Sequence, residues 1–377
     1  MDSLDDGYAM AVAGALVWTP RLLRAWIDAC GSAREVRAWV GARDVPPDGV
    51  PALSAAALER LRAIDDDVAR RALDTLAASG AQLLRDGDEG YPAAFNDLAD
   101  PPPLLYVRGA IGALGTRPVA IVGSRAATTY GRQVAASLAS DLGAFGACIV
   151  SGLARGIDAC AHSAALAASA PTVAVIGSGL TALYPPYHAL LADEVVAAGG
   201  AVVSEFPPLE GARAHHFPMR NRLVAALAVA TIVVEAGRRS GALITARLAD
   251  ELGRHVYAIP GDVTRPTSVG TNELIKDGVT LVTGGADIAS LLGWDAPFGQ
   301  PESNSASHDD RAVDDPVLAR LTMSGVDVDV LATQCSMGLP ALLARLTLLE
   351  IEGLAVRLPG GTYAAVKRER APNARHR

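Results

Sequence analysis

The sequence predicts an α/β protein: an extended Rossmann-like, doubly wound parallel sheet, preceded by a small helical domain and followed by a winged-helix-like domain. Two observations carry the central part. Seven short, continuously apolar runs recur between residues 119 and 282, and segments of helical length separate most of them. Strands apolar on both faces, alternating with helices, belong to a parallel sheet covered on both sides. A third observation bounds the core. Half of the 377 residues are hydrophobic but only 5% are aromatic, so the interior is built mostly from Ala, Val, Leu and Ile.

Residues 1–81 read as the helical domain, of a SAM-like or helix-hairpin-helix-like kind. Pro20–Cys30 and Ala55–Leu76 have helical spacing, and Pro46, Pro47 and Pro51 break the chain between them. Such a module serves partner or DNA-backbone binding or plain packing, and the residues leave both open. From residue 82 the character changes: Leu83-Leu84, Tyr91-Pro92, Pro101–Pro103 and Leu104–Val107 lead into the alternation. The strand-like runs are Val119–Val122, Ala147–Val150, Thr172–Ile176, Ala201–Phe206, Ala230–Glu235, His255–Ile259 and Val279–Val282. Helical segments such as Gly131–Gly143, Asp158–Ala168 and Ala242–Leu252 lie between them, and the whole domain spans 82–295. Residues 296–312 are polar and read as a flexible linker. In 313–368, Asp315–Leu321 and Val328–Cys335 are helical. Leu339–Gly353 places leucines 342, 343, 346 and 349 on a helical face, and Leu354–Leu358 and Thr362–Val366 form a hairpin around Pro359-Gly360-Gly361. That order predicts a winged helix, followed by a basic tail at 369–377. Its third helix carries Arg345 and little other positive charge, so DNA contact and protein contact both remain open.

The bulk properties exclude several classes. A net charge of −8 argues against coating nucleic acid through global charge, yet leaves room for a local basic channel. No apolar run reaches the ~20 residues of a membrane helix, and Asp2, Asp5 and Asp6 oppose a secretory leader. Cys30, Cys148, Cys160 and Cys335 lack paired spacing and read as small hydrophobes of a reducing cytoplasm. Arg213, Arg220, Arg222, Arg238 and Arg239 fall in one stretch with a single acid, Glu235.

Candidate chemistry lies at the strand ends, where open α/β sheets bind ligands. Gly123-Ser124-Arg125 offers close backbone approach, a hydroxyl and a planar guanidinium, and the amides of the following helix can add to an anion site. A plain strand-to-helix turn is the competing reading. Ser151-Gly152 begins a second such loop, in which Asp158 reads as a helix N-cap; Ser151 has no evident His/Asp set and is not expected to be a nucleophile. Gly177-Ser178-Gly179-Leu180-Thr181-Ala182 matches G-x-G-x-x-A, but Tyr184-Pro185-Pro186 follows where a dinucleotide site needs a helix. Phe217-Pro218-Met219-Arg220-Asn221-Arg222 reads either as a helix start with Pro at its first position or as a cationic, aromatic binding loop. Ser240-Gly241 opens a further helix after a strand. His215-His216 and His188 have no standard zinc spacing. No catalytic residue, metal or cofactor is expected. Several anion-ready loops with arginines and Phe217 on one sheet edge point to a groove for successive phosphates and stacked bases.

These motifs, in order with Ser204-Glu205, Pro260-Gly261 and Gly270-Thr271-Asn272, resemble the DNA-processing protein DprA (Smf) family over about residues 82–292. The resemblance implies a non-enzymatic, cytoplasmic protein that binds single-stranded DNA and dimerises through the Rossmann-like domain. It also implies protection of incoming DNA in natural transformation and loading of the RecA recombinase. Carried onto this sequence, Arg125 would bind phosphate and Phe217 a base. Arg220, Asn221 and Arg222 would line the pocket, with Gly123, Ser124, Ser151, Gly152, Gly177, Ser178, Ser240 and Gly241 around them. Members often place a lysine shortly before the Phe. Arg213, His215 and His216 are the candidates here, and His216 is included in the DNA site. Two alternatives are a nucleotide phosphoribohydrolase of the LOG type, with Glu235 or Glu205 as its acid, and a regulatory protein binding a small nucleotide.

Overall fold

Strands β1 (Ala81–Arg85), β2 (Leu104–Gly109), β3 (Pro118–Val122), β4 (Cys148–Ser151), β5 (Thr172–Val175), β6 (Ala201–Ser204), β7 (Ala230–Val233), β8 (His255–Ala258) and β9 (Thr280–Leu281) form one sheet. Its order is β1-β2-β6-β5-β4-β3-β7-β8-β9 in this computed structural model. The structure describes residues 3–16, 19–43, 45–115, 117–294, 315–322, 325–335, 337–351, 354–358 and 362–366. The 296–312 linker, the 369–377 tail and the Pro359-Gly360-Gly361 turn lie outside them.

All seven runs read from sequence are strands, and they pair in parallel. The sheet is nonetheless mixed. Leu83-Leu84 and Leu104–Val107 become β1 and β2, which pair antiparallel with each other and, through β2, with β6. Leu104 to Val107 are all buried, so this run needed a sheet position rather than a loop. The last run shrinks to two exposed residues at the sheet edge.

Five helices precede the sheet: α1 (Ser3–Ala15), α2 (Pro20–Cys30), α3 (Ala33–Ala42), α4 (Ala55–Arg62) and α5 (Asp66–Ala78). The expected helix Ala55–Leu76 is thus two. Asp65 leaves the helix, and its carboxylate accepts a hydrogen bond from Val68 N at 2.8 Å, starting α5 afresh. Six more helices join the strands, α6 (Thr129–Ala144), α7 (Ile157–Ala167), α8 (Ala189–Ala197), α9 (His216–Leu227), α10 (Gly241–Glu251) and α11 (Val269–Lys276), and α12 (Gly285–Leu291) follows β9. Along β3, Val119 and Ile121 pack under α6, α7 and α12, while Ala120 and Val122 pack under α9 and α10. This two-faced burial explains why the strands are apolar throughout.

The N-terminal helices share a core with the sheet. Trp26, Leu61 and Val36 belong to the same cluster as Tyr106, Val202 and Phe206. Polar ties reinforce it: Arg85 of β1 donates to Asp6 at 2.8 Å and to Asp5 at 2.9 Å, and Arg24 pairs with Asp86 at 2.7 Å.

Residues 300–377 form a second compact unit. Within it, β10 (Val326–Asp327), α13 (Val328–Cys335), α14 (Leu339–Ile351), β11 (Ala355–Leu358) and β12 (Thr362–Ala365) make a winged helix with sheet order β10-β12-β11. Leu342, Leu346 and Leu349 enter its core while Leu343 is exposed. The expected helix Asp315–Leu321 is a single 3₁₀ turn at Leu318–Arg320. Asp315 accepts from Val317 N and Leu318 N and pairs with Arg345, so the one cation expected on the third helix is held internally.

Arg85→Ala would strand the partly buried carboxylates of Asp5 and Asp6. Loss of charge-assisted bonds of this kind costs about 1–3 kcal/mol. Urea denaturation should show a lower midpoint; an unchanged midpoint would mean these bonds hold nothing together.

Candidate nucleic-acid interface

Between β3 and β7 the strand order reverses, and loops leaving the two carboxyl ends diverge there. The resulting cleft has a volume of about 690 Å³. Its floor and walls come from three strand ends: Gly123 to Ala126 after β3, Gly152 and Ala154 after β4, and Gly237 to Ala242 after β7. The first turns of α9, with Phe217, Pro218, Arg220 and Asn221, close it.

The stretch Phe217–Arg222 is both of the things it could have been, a helix start and a cleft wall. Phe217 lies near the start of α9, and the Arg125 guanidinium sits 4.6 Å from its ring centroid. Arg125 and Arg239 are exposed and pair with no carboxylate among the described residues. Arg238, also exposed, pairs with Glu273 at 3.0 Å. The cleft therefore presents cations to solvent, with the partly buried Phe217 ring in its wall.

Arg220 behaves differently from the expected pocket arginine. It is only 4% exposed, and its Nη1 donates to Gly152 O at 2.7 Å and to Val175 O. Burial pushes this guanidinium down to about 10, partly offset by the Asp158 carboxylate. Asp158 is not the expected N-cap of α7, a position Gly156 occupies. Its buried carboxylate turns back to accept from Gly152 N at 3.2 Å and Ala154 N at 3.4 Å. Burial raises its pKa and Arg220 opposes the rise. Gly152 is required by this arrangement, since a Cβ there would lie 2.5 Å from Arg220 Nη2.

Arg222 departs further. It points away from the cleft and pairs with the buried Glu205 at 2.5 Å. His216 is buried, stacked on Phe206 at 4.1 Å, and burial lowers its pKa. Of the three basic candidates before Phe217, His216 is thus a core side chain, and Arg213 is tied to Glu210 at 2.8 Å. His215 is exposed, packed edge-on against His216.

The strand-end loops sort in the same way. Ser151 is buried and its hydroxyl donates to Ile121 O at 2.6 Å, so it is not presented to a ligand. Gly177 and Ser178 are buried, with the Phe217 ring covering Gly177. Gly123 borders the cleft, but the space its missing Cβ would take is filled by Ile157, so the glycine serves packing rather than ligand approach. Ser124 accepts from Ala126 N at 3.1 Å, and Ser240 caps α10 by accepting from Ala242 N at 3.3 Å. Asn221 bridges α9 to Gly241 O at 3.2 Å. The anion site expected at the start of α6 is taken internally. Glu235 accepts from Thr128 N at 2.8 Å and from the Thr128 hydroxyl at 2.5 Å. Neither Glu235 nor Glu205 borders the cleft. Arg238 and Arg239 belong to the arginine-rich stretch but were not assigned to the site; their position between β7 and the Ser240 cap was the usable signal.

Fold and cleft together define a Rossmann-like protein with a cationic, aromatic crevice at its topological switch point. A family model described as DNA recombination-mediator protein A matches residues 82–293, and one for the DprA winged helix domain matches 301–361. The chain belongs to this family, as the ordered motifs had indicated. It is 39% identical over 291 residues to Protein Smf of Escherichia coli (strain K12), covering 76% of this chain and 78% of that protein. It is 42% identical over 205 residues to DNA processing protein DprA of Streptococcus pneumoniae, covering 53% and 71%. The X-ray structure of DNA processing protein A from Streptococcus pneumoniae aligns with TM-score 0.63 at 32% identity, covering 75% of this chain and 97% of that one. DNA processing protein A from Helicobacter pylori, solved for its single-stranded DNA binding mode, aligns with TM-score 0.52 at 32% identity, covering 57% and 97%.

Arg220→Ala should act on stability. Its removal leaves the buried carbonyl acceptors of Gly152 and Val175 without this donor, a loss of about 1–3 kcal/mol, and Arg220→Lys should recover only part, lacking the planar fork. Thermal unfolding would read this; a fully stable Arg220→Ala protein would return the residue to a ligand-facing role.

Proposed function

We propose that the chain binds single-stranded DNA in the cleft between β3 and β7 and does so without transforming it. The observation that carries this reading is the pairing of the Phe217 ring with Arg125 beside Arg239, which pairs with no carboxylate among the described residues. A ring supplies a face on which any base stacks, and guanidinium groups supply phosphate contacts, a combination suited to sequence-tolerant binding of single strands. The Helicobacter pylori relative, described for its single-stranded DNA binding mode, supports the choice of ligand. The engagement of Ser151, Asp158 and Glu235 with protein groups supports a binding role over a hydrolytic one.

In this reading Arg125 and Arg239 contact phosphate, Phe217 stacks on a base, and Ser124, Asn221, Ser240 and Gly241 shape the cleft. Arg220 positions the loops from beneath. The protein protects incoming strands in natural transformation or recombination and hands them to the RecA recombinase in the cytoplasm, as a homodimer joined through the Rossmann-like domain.

Titration of a labelled oligonucleotide at several salt concentrations tests the core of this. Phe217→Ala should weaken binding by about 1–3 kcal/mol, the scale of one stacked base. Arg125→Ala should reduce the slope of log affinity against log salt by about 0.7, one single-strand phosphate contact. Unchanged binding by both variants would overturn the assignment.

A further inference from the structure

Aromatic side chains are scarce in this chain, and among the described residues only Tyr184 and Tyr187 are exposed. They are 48% and 62% exposed and sit three positions apart on the loop between β5 and α8. An exposed ring forgoes the burial that makes aromatics stabilising, so two in one loop call for a use.

The loop is strapped down rather than frayed. Gly179 N donates to Glu210 O at 2.7 Å, and the Thr181 hydroxyl donates to Pro208 O at 2.6 Å. The Ser204 hydroxyl donates to Ser178 O at 2.7 Å, and His188 Nδ1 lies 2.8 Å from Leu153 O. Tyr187 packs edge-on against His188, with centroids 4.7 Å apart. The two tyrosines are therefore presented by a fixed scaffold, which lowers the ordering cost of binding.

Their position relates them to the cleft. The Tyr184 ring lies 5.7 Å from that of Phe217, tilted by 59° rather than stacked. Arg125 thus approaches Phe217 as well as a small hollow of about 30 Å³ beside it, which Arg155, Tyr184 and Pro185 also line. Arg155 is exposed and makes no ion pair with a described carboxylate. Beside the cation and ring of the cleft, Arg125 and Phe217, thus lies a second ring, Tyr184, with Arg155 next to it.

We propose that Tyr184, with Arg155 alongside and the exposed Tyr187 three positions on in the same loop, forms an extension subsite for further unpaired nucleotides of the strand leaving the cleft past Phe217. The inference rests on the single-strand reading above. A mononucleotide filling the cleft would have no use for rings outside it, whereas a continuing strand meets a base platform and a phosphate contact in succession.

The test compares thymidine dinucleotide with a long oligothymidylate on the full-length protein, by competition against a labelled strand. Tyr184→Ala should weaken the long strand by about five- to 160-fold, the range of one lost stack, and leave the dinucleotide unchanged. Tyr184→Phe should bind both like the unsubstituted protein, because the ring and not the hydroxyl is used. Arg155→Ala should reduce the salt slope for the long strand alone. Equal weakening of both ligands by Tyr184→Ala would make Tyr184 a mere support for Phe217 and overturn the subsite, as would no change in either. No binding of any strand by the unsubstituted protein would instead overturn the underlying reading, and the subsite with it.

Discussion

A single buried guanidinium organises the strand ends. Arg220 reaches back from α9 to the carbonyls of Gly152 and Val175, joining the loop after β4 to the end of β5, with Asp158 as its counter-charge. Burying a guanidinium is costly unless its donors find acceptors and its charge finds a partner, and both conditions are met here. Because Arg220 lies one helical turn after Phe217, fixing the one sets the height and direction of the other. Arg125 and Tyr184 in turn are placed against the Phe217 ring. The cleft wall thus stands on a buried guanidinium held by backbone carbonyls.

The same economy of charge governs the surroundings. Three carboxylates near the strand ends are committed to the protein itself: Asp158 to loop amides, Glu235 to the start of α6, and Glu205 to Arg222. Of the three only Asp158 borders the crevice, with its carboxylate engaged by loop amides, and Arg125, Arg238 and Arg239 face the opening. Local field, not net charge, decides what such a crevice attracts.

Much of the fold was legible. Apolar runs of strand length can satisfy water only by being covered on both faces, so the seven parallel strands and their helices followed from pattern alone. What escaped were elements whose pairing is remote in sequence. Leu104–Val107 joins β6 across about a hundred residues, and no local rule specifies an antiparallel return. The split at Asp65 escaped because a carboxylate inside a helical run is read as solvated until its cap is seen. In the site, Phe217, Arg125, Ser240 and Asn221 were legible as cleft residues. Arg220, Arg222, His216 and Ser151 were legible only as polar residues near strand ends, and which way each one points depends on partners such as Glu205 and Phe206.

By itself, then, the sequence determined the class of sheet, the helical coverage and the family, because hydrophobic period and ordered loop motifs are local properties of the chain. Only the tertiary structure decided which arginine is a strut and which faces the cleft. Arg220 and Arg222 are two residues apart and chemically identical, yet one is sealed against backbone carbonyls and the other against Glu205, while Arg125, nearly a hundred residues away, meets the Phe217 ring. Partners supplied from distant strands set the free energy of each charge, and that information exists only once the strands are side by side.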